Sequence, residues 1–274
     1  MTTLIGLGGT GTKLVEILSS HPQYKAIKID ADNGIKKQKT AEEYEKKCPS
    51  FKAKFKNIKG DVYFFVSAAG NISGASLRIL EQLRDKNVHV ICIHSDTITL
   101  SSMGILQQKL VSNVLQEYAR SGLIKKLYLL DNAKIEQMIE EASLDEYWEK
   151  INELICYVFH TMMFFKHTKP MMESAGDSEG INSIATFGTF DINKNKKMFY
   201  DLKHVTSQTF YYSYSKERDK KNKNFLKNVK EDVAKEEGIS NKSFKIYESD
   251  TEDKTTYIEQ STHILQYVEG KNEK

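Results

Sequence analysis

The chain alternates short apolar runs with amphipathic stretches. Residues 3–7 read as a buried strand and 11–20 as a helix, with Leu14, Val15, Ile17 and Leu18 on a helical repeat that His21-Pro22 ends. A second strand, 24–30, closes on Asp30, and a polar, lysine-rich helical pattern covers 40–58. The run 61–66 is almost wholly apolar, as a parallel strand covered on both faces should be. Helix 75–86, strand 88–93, helix 103–121 and strand 127–130 follow, then a short helix over 134–142. Over 144–166 the apolar positions Tyr147, Trp148, Ile151, Leu154, Ile155, Val158, Phe159, Met162 and Met163 keep helical spacing. Beyond Pro170 the texture changes. Residues 171–182 read as a loop, 184–192, 199–205 and 209–214 as strands, 223–236 as a helix, and 243–248 and 255–267 as strands. The pattern predicts an α/β fold: a domain over 1–143 built on a Rossmann-like parallel sheet, of the kind that binds nucleotides where glycine loops permit, a long central helix over 144–167, and a smaller α+β domain over 168–274 whose charged end, 268–274, is expected to fray.

Between the first strand and first helix lie four glycines, spaced Gly6-x-Gly8-x-x-Gly11. Strand, glycine turn and helix N-terminus together form an anion site, because unpaired amides and the positive end of the helix dipole face one concavity. Glycine lets the backbone approach a phosphate closely. Gly8, Gly9, Thr10 and Gly11 are therefore candidate phosphate contacts. Thr12-Lys13 stand where a Walker loop needs Lys followed by Ser or Thr, so this is not a Walker loop. Asp30 lies 19 positions past Gly11, where a ribose-binding acid often sits. A second Gly/Ser loop, 67–76, follows the third strand.

Composition narrows the picture only a little. The net charge of +3 is too small to indicate nucleic acid directly, and the basic clusters at 36–59 and 216–230 read as solvated helical faces. No apolar run approaches the ~20 residues of a membrane span, and the N-terminus carries no signal-peptide pattern. Cys48, Cys92 and Cys156 are far apart and lack metal-ligand spacing, which fits reduced thiols, a cytoplasmic location and no metal site held by the protein alone.

The order of elements resembles the tubulin/FtsZ superfamily: phosphate loops after the first and third strands, then one long helix leading to a smaller domain. A divergent phage or plasmid member is the nearest likeness. The resemblance makes Gly70, Asn71, Ser73 and Gly74 a decayed signature loop, with Ile72 where the family has its central glycine. A β-branched residue there disfavours positive φ and holds the backbone off a phosphate. In the family the central helix presents an Asn or Asp to guanine and, four residues earlier, an aromatic that stacks on the base. Trp148 and Asn152 match that pair, and Asn132 resembles a further base contact. Taken alone, the pair equally suits a core tryptophan with a polar flank. The family's acidic motif after the central helix is not intact. Glu173 and Asp177 are the candidate acids in its place, and a solvated acidic loop is the competing account.

The resemblance implies a GTP- or GDP-binding cytoskeletal protein, with Mg2+ as a candidate companion ion. It implies self-assembly into filaments, slow or assembly-dependent hydrolysis as a weak GTPase, and an adaptor or cargo protein as a candidate partner. Two alternatives stay open. One is a tubulin-fold structural protein without turnover. The other is a NAD-type Rossmann oxidoreductase using the same Gly6, Gly8, Gly11 and Asp30, although the seven histidines offer it no clear proton-relay pair.

Overall fold

The computed structural model describes residues 1–139, 142–174, 181–190, 195–217, 219, 222–249 and 255–267. It divides into two compact units, one comprising Met1–Cys156 with the residues from Leu265 on, the other Tyr157–Ile264. The division falls inside the long helix, and residues 265–267 return to the first unit.

In the first unit five strands pair in parallel in the order β2-β1-β3-β4-β5: β1 (Thr2–Leu7), β2 (Tyr24–Ile29), β3 (Asp61–Ser67), β4 (Asn87–His94) and β5 (Lys126–Asp131). Residues 62–66 of β3 are all buried, which is what their unbroken apolar run requires. Helix α1 (Gly8–Leu18) links β1 to β2, and α4 (Ala75–Gln82) links β3 to β4. These crossovers move in opposite directions along the sheet, so the right-handed rule puts their helices on opposite faces. The lysine-rich stretch is two short helices, α2 (Ala41–Lys46) and α3 (Lys52–Phe55). Pro49 between them prevents one continuous helix. Thr40 Oγ1 accepts from the Glu43 N–H at 3.2 Å while the Glu43 carboxylate accepts from the Lys39 N–H at 3.0 Å, a capping arrangement that starts α2. Helix α5 (Ser102–Arg120) is clasped at both ends. The Gln108 side chain trades two hydrogen bonds with the Ser95 backbone, and Gln116 trades two with the Gln266 backbone. Helix α6 (Asn132–Glu136) begins directly at the end of β5.

Helix α7 (Tyr147–His167) starts in the first unit and ends in the second. The second unit holds β6 (Met172–Glu173), β7 (Ile184–Phe190), β8 (Lys196–Met198), β9 (Ser207–Tyr214), α8 (Phe225–Ala234), β10 (Asn241–Glu248) and β11 (Thr256–Thr262). Its strands run β7-β11-β9-β10-β6, with β8 on the other side of β7. Phe210, Tyr212, Val229, Phe244, Ile246 and Ile258 form the core that includes α8. Alternate positions of the same strands give Tyr211, Tyr247 and Tyr257, which pack on Phe165 of α7. The strand expected at 199–205 is not formed. β8 lies just before it, and His204 takes a φ of 56°, a left-handed conformation that a strand cannot hold. The tail 268–274 lies outside the described residues.

Candidate functional site

The strand order creates the site. From β1 the chain goes to β2 on one side and returns as β3 on the other, so a crevice opens beyond the carboxyl ends of β1 and β3, the switch point of a doubly wound sheet. Both glycine loops end there. α1 begins at Gly8, immediately after β1, with Leu7 as its N-cap and no side-chain cap. The first-turn amides of Gly8, Gly9 and Thr10 have no intrahelical acceptor, and no acid occupies that turn. Gly8 has a φ of +71°. A Cβ on Gly9 would meet nothing within 4 Å.

Gly6 and Gly11 are also constrained by packing. A Cβ on Gly6 would collide with the Gly11 carbonyl, and one on Gly11 with the Phe65 carbonyl of β3. These two glycines let α1 lie tight against the sheet. The Thr12 hydroxyl is turned inward, donating to Gly8 O at 2.8 Å.

The second loop passes into a 3-10 turn, Asn71–Gly74, that leads into α4. Ser73 is fully buried. Its hydroxyl donates to Ala68 O at 3.0 Å and accepts from Gln107 Nε2 of α5 at 3.1 Å, and its N–H donates to Gly70 O at 2.9 Å. Asn71 Nδ2 donates to Lys39 O at 2.8 Å, and Gly74 lies against the Ala41 backbone. These groups brace the loop against α2 and α5. The Ile72 side chain crosses to the first loop, with Cγ2 2.5 Å from where a Gly8 Cβ would stand.

Asn132 opens α6 beyond β5. It is 7% exposed, and its Oδ1 has no hydrogen-bond partner. An unsatisfied buried acceptor costs about 1–3 kcal/mol, so a donor supplied from outside would relieve it. Trp148, in the first turn of α7, is 56% exposed and is therefore not a core residue. The Tyr147 ring meets it edge-on, with centroids 5.0 Å apart. Burial, then a hydrogen bond to Glu136, pushes the Tyr147 phenol up to about 12. Asn152 follows one turn later and is half-buried. Cys156, a turn further, lies within 3.5 Å of Leu14 O of α1. The stripe 148–152–156 thus descends from an exposed aromatic to the body of α1. Asp30 Oδ1 accepts from the N–H groups of Asp32 and Asn33 at 3.0 and 2.8 Å, and from Asn33 Nδ2, so this carboxylate shapes the turn after β2. Among the described residues no three or more His, Cys, Asp or Glu are grouped to hold a metal ion.

No protein-family model and no curated protein sequence matches the chain. Solved structures do. CetZ2 from Haloferax volcanii superposes with a TM-score of 0.69 at 13% identity, covering 94% of this chain and 92% of that one. TubZ from Bacillus thuringiensis gives 0.68 at 12%, covering 95% and 86%. FtsZ from M. jannaschii gives 0.67 at 11%, covering 95% and 88%. The chain has the tubulin/FtsZ fold.

A tubulin/FtsZ fold accounts for the second unit and the long helix, which the oxidoreductase alternative left without a role. Within it the expected residues separate by environment. Gly8, Gly9 and Thr10 lie at the start of α1, Gly70 to Gly74 cross the same crevice edge, and Trp148 with Asn152 share one face of α7. Glu173 is exposed in the short strand β6, not in a loop, and belongs to the second unit. Asp177 lies outside the described residues. Sequence reasoning missed Gln107, which pins the second loop, and the Glu136–Tyr147 bond beside Trp148. A glutamine on an amphipathic helix and a Glu eleven residues before a Tyr give no spacing signal.

Proposed function

We propose that this chain is a GTP-binding protein of the phage or plasmid type within the tubulin/FtsZ superfamily, that it assembles with copies of itself into filaments, and that it hydrolyses GTP slowly. The supporting observation is the meeting of two glycine loops at the β1/β3 switch point. Amides of Gly8, Gly9 and Thr10 would receive phosphates, with Gly70 and Asn71 across the crevice. Trp148 would stack on the base, Asn152 and Asn132 would read its edge, and Asp30 would sit near the ribose. CetZ2 is a GTPγS-bound protofilament and TubZ a GTPγS-form protofilament, which supports both nucleotide and assembly. Mg2+ would lean on nucleotide phosphates and water, as this ion commonly does. Slow turnover follows from the loop chemistry: beside the amides the two loops offer Thr10, Thr12, Asn71 and Ser73, none of them a general base, and Thr12 and Ser73 are committed to internal bonds. Glu173 and Asp177 would have to come from a second copy. Among the described residues no helix is long and apolar enough to cross a membrane, and the cytoplasm is the proposed location. An adaptor or cargo protein is a further proposed partner.

The test is chromatographic identification of the nucleotide that co-purifies, with calorimetric titration of GTP, ATP and NAD into stripped protein. Guanine nucleotide alone, or at least tenfold preference for GTP, is expected. Preference for a nicotinamide or adenine nucleotide would overturn the reading.

A further inference from the structure

At the opposite edge of the first unit's sheet, an open cleft of about 870 Å³ is lined by Lys52 and Lys56 at α3, Arg84 and Lys86 after α4, and Phe55 and Leu123. Phe55 is buried and gives the cleft an apolar floor. The α3 and α4 sides are fastened together: Gln82 Oε1 accepts from the Phe51 N–H at 2.6 Å, and Gln82 Nε2 donates to Pro49 O at 3.2 Å. Two acids also line the cleft, and each already has a cation. Glu81 holds Arg78 at 3.1 Å, and Asp85 holds Lys86 at 3.4 Å. Lys52, Lys56 and Arg84 are exposed and have no anionic partner among the described residues.

The charge continues beyond the cleft. Strands β3, β4 and β5 are neighbours, and Lys59, Lys86 and Lys125 stand just before their first residues. Register staggers them: Asp61 pairs with Asn87, which sets Lys86 opposite Gly60, and the Lys125 N–H donates to Val88 O at 2.7 Å, two residues further along β4 than Lys86. Neighbouring strands lie about 4.8 Å apart, so these lysines form a staggered row across the N-terminal edge of the sheet, Lys86 within it being paired with Asp85. The candidate nucleotide crevice is at the C-terminal edge.

We propose that this cationic cleft and the lysine row beside it bind the phosphate backbone of a nucleic acid without reading its sequence. One phosphate or carboxylate would engage two or three cations, and this strip is longer. Duplex DNA presents one charge per about 1.7 Å of axis, a line of charge dense enough to meet each of several cations spread over the cleft and the strand ends. Lysine is a flexible point charge, fitted to backbone phosphates more than to base edges. The inference is independent of what occupies the nucleotide crevice.

The test uses the full chain and a labelled random-sequence duplex DNA, with affinity followed by polarisation across a salt series. Three proteins are compared: wild type, Lys52→Glu/Lys56→Glu/Arg84→Glu, and a control of equal charge change, Lys36→Glu/Lys37→Glu/Lys39→Glu. The cleft variant should bind at least tenfold more weakly at low salt. Its log–log salt slope should be smaller by roughly 2.7, near 0.9 for each lost phosphate contact. The control should keep most of the affinity and slope, and GTP binding should not change in the cleft variant. A milder Lys52→Gln/Lys56→Gln/Arg84→Gln protein, with melting checked, should show the same direction. No DNA binding by wild type, equal loss in the control, or equally tight binding of polyglutamate by wild type would overturn the proposal.

Discussion

Glycines that look interchangeable in a motif are separated by what surrounds each Cα. A Cβ at Gly11 meets the Phe65 carbonyl, whereas one at Gly9 meets open space. Gly11→Ala should therefore lower the melting temperature, since backbone atoms must move. Gly9→Ala should melt like wild type yet weaken GTP binding at least tenfold, because the methyl enters the space a phosphate would use. Equal melting and equal affinity for both variants would refute this division of roles. Trp148 is the only tryptophan, so its fluorescence reports on the proposed base site directly. GDP should quench it. Trp148→Ala should cost about 1–3 kcal/mol of binding, the range of base–aromatic stacking. Asn152→Ala should narrow the preference for guanine over adenine nucleotides, measured by competition against labelled GDP. Unquenched fluorescence and unchanged affinity would move the base elsewhere.

At the scale of elements, β4 and α5 are joined by a buried imidazole. His94 Nε2 lies 3.1 Å from Ser112 Oγ, and burial pulls its pKa down from the ordinary 6.5 to about 4. The native ring stays neutral while the unfolded ring takes a proton, so the unfolded state binds more protons below pH 6.5. The contribution is complete above about 6.5 and is lost as pH falls toward about 4, a change on the order of 3 kcal/mol. Denaturant titrations across that window should show stability falling with acid, and His94→Gln should flatten the slope. A slope untouched by the substitution would assign the acid sensitivity to other groups. Helix α5 also shows how a polar residue can be structural. The Gln116 amide takes the place of a paired strand for the Gln266 backbone, and Gln107 pins Ser73.

At the scale of the molecule, the proposed function depends on more than one copy. If Glu173 and Asp177 complete a neighbour's site, phosphate release per subunit should rise with protein concentration. Glu173→Ala with Asp177→Ala should remove that rise while light scattering still shows assembly. A rate independent of concentration, or untouched by the double substitution, would make both ordinary surface acids. The sequence alone determined the alternation of strands and helices, the glycine loop and the one-turn pairing of Trp148 with Asn152, because these depend on local periodicity and backbone freedom. It also located α7, whose apolar spacing runs almost its full length. It could not determine strand order, and the crevice exists only because β1 sits between β2 and β3. Nor could it show that Trp148 stays exposed, that Ser73 is spent on Ala68 and Gln107, or that Ile72 reaches Gly8. Each of those is a contact between residues distant in sequence or a matter of what covers a helix face, and periodicity carries no term for either. His204 shows the same limit within the backbone: the apolar alternation around it suggested a strand, and its left-handed φ, with its carbonyl held by Thr262 Oγ1 at 2.8 Å, turned the chain instead.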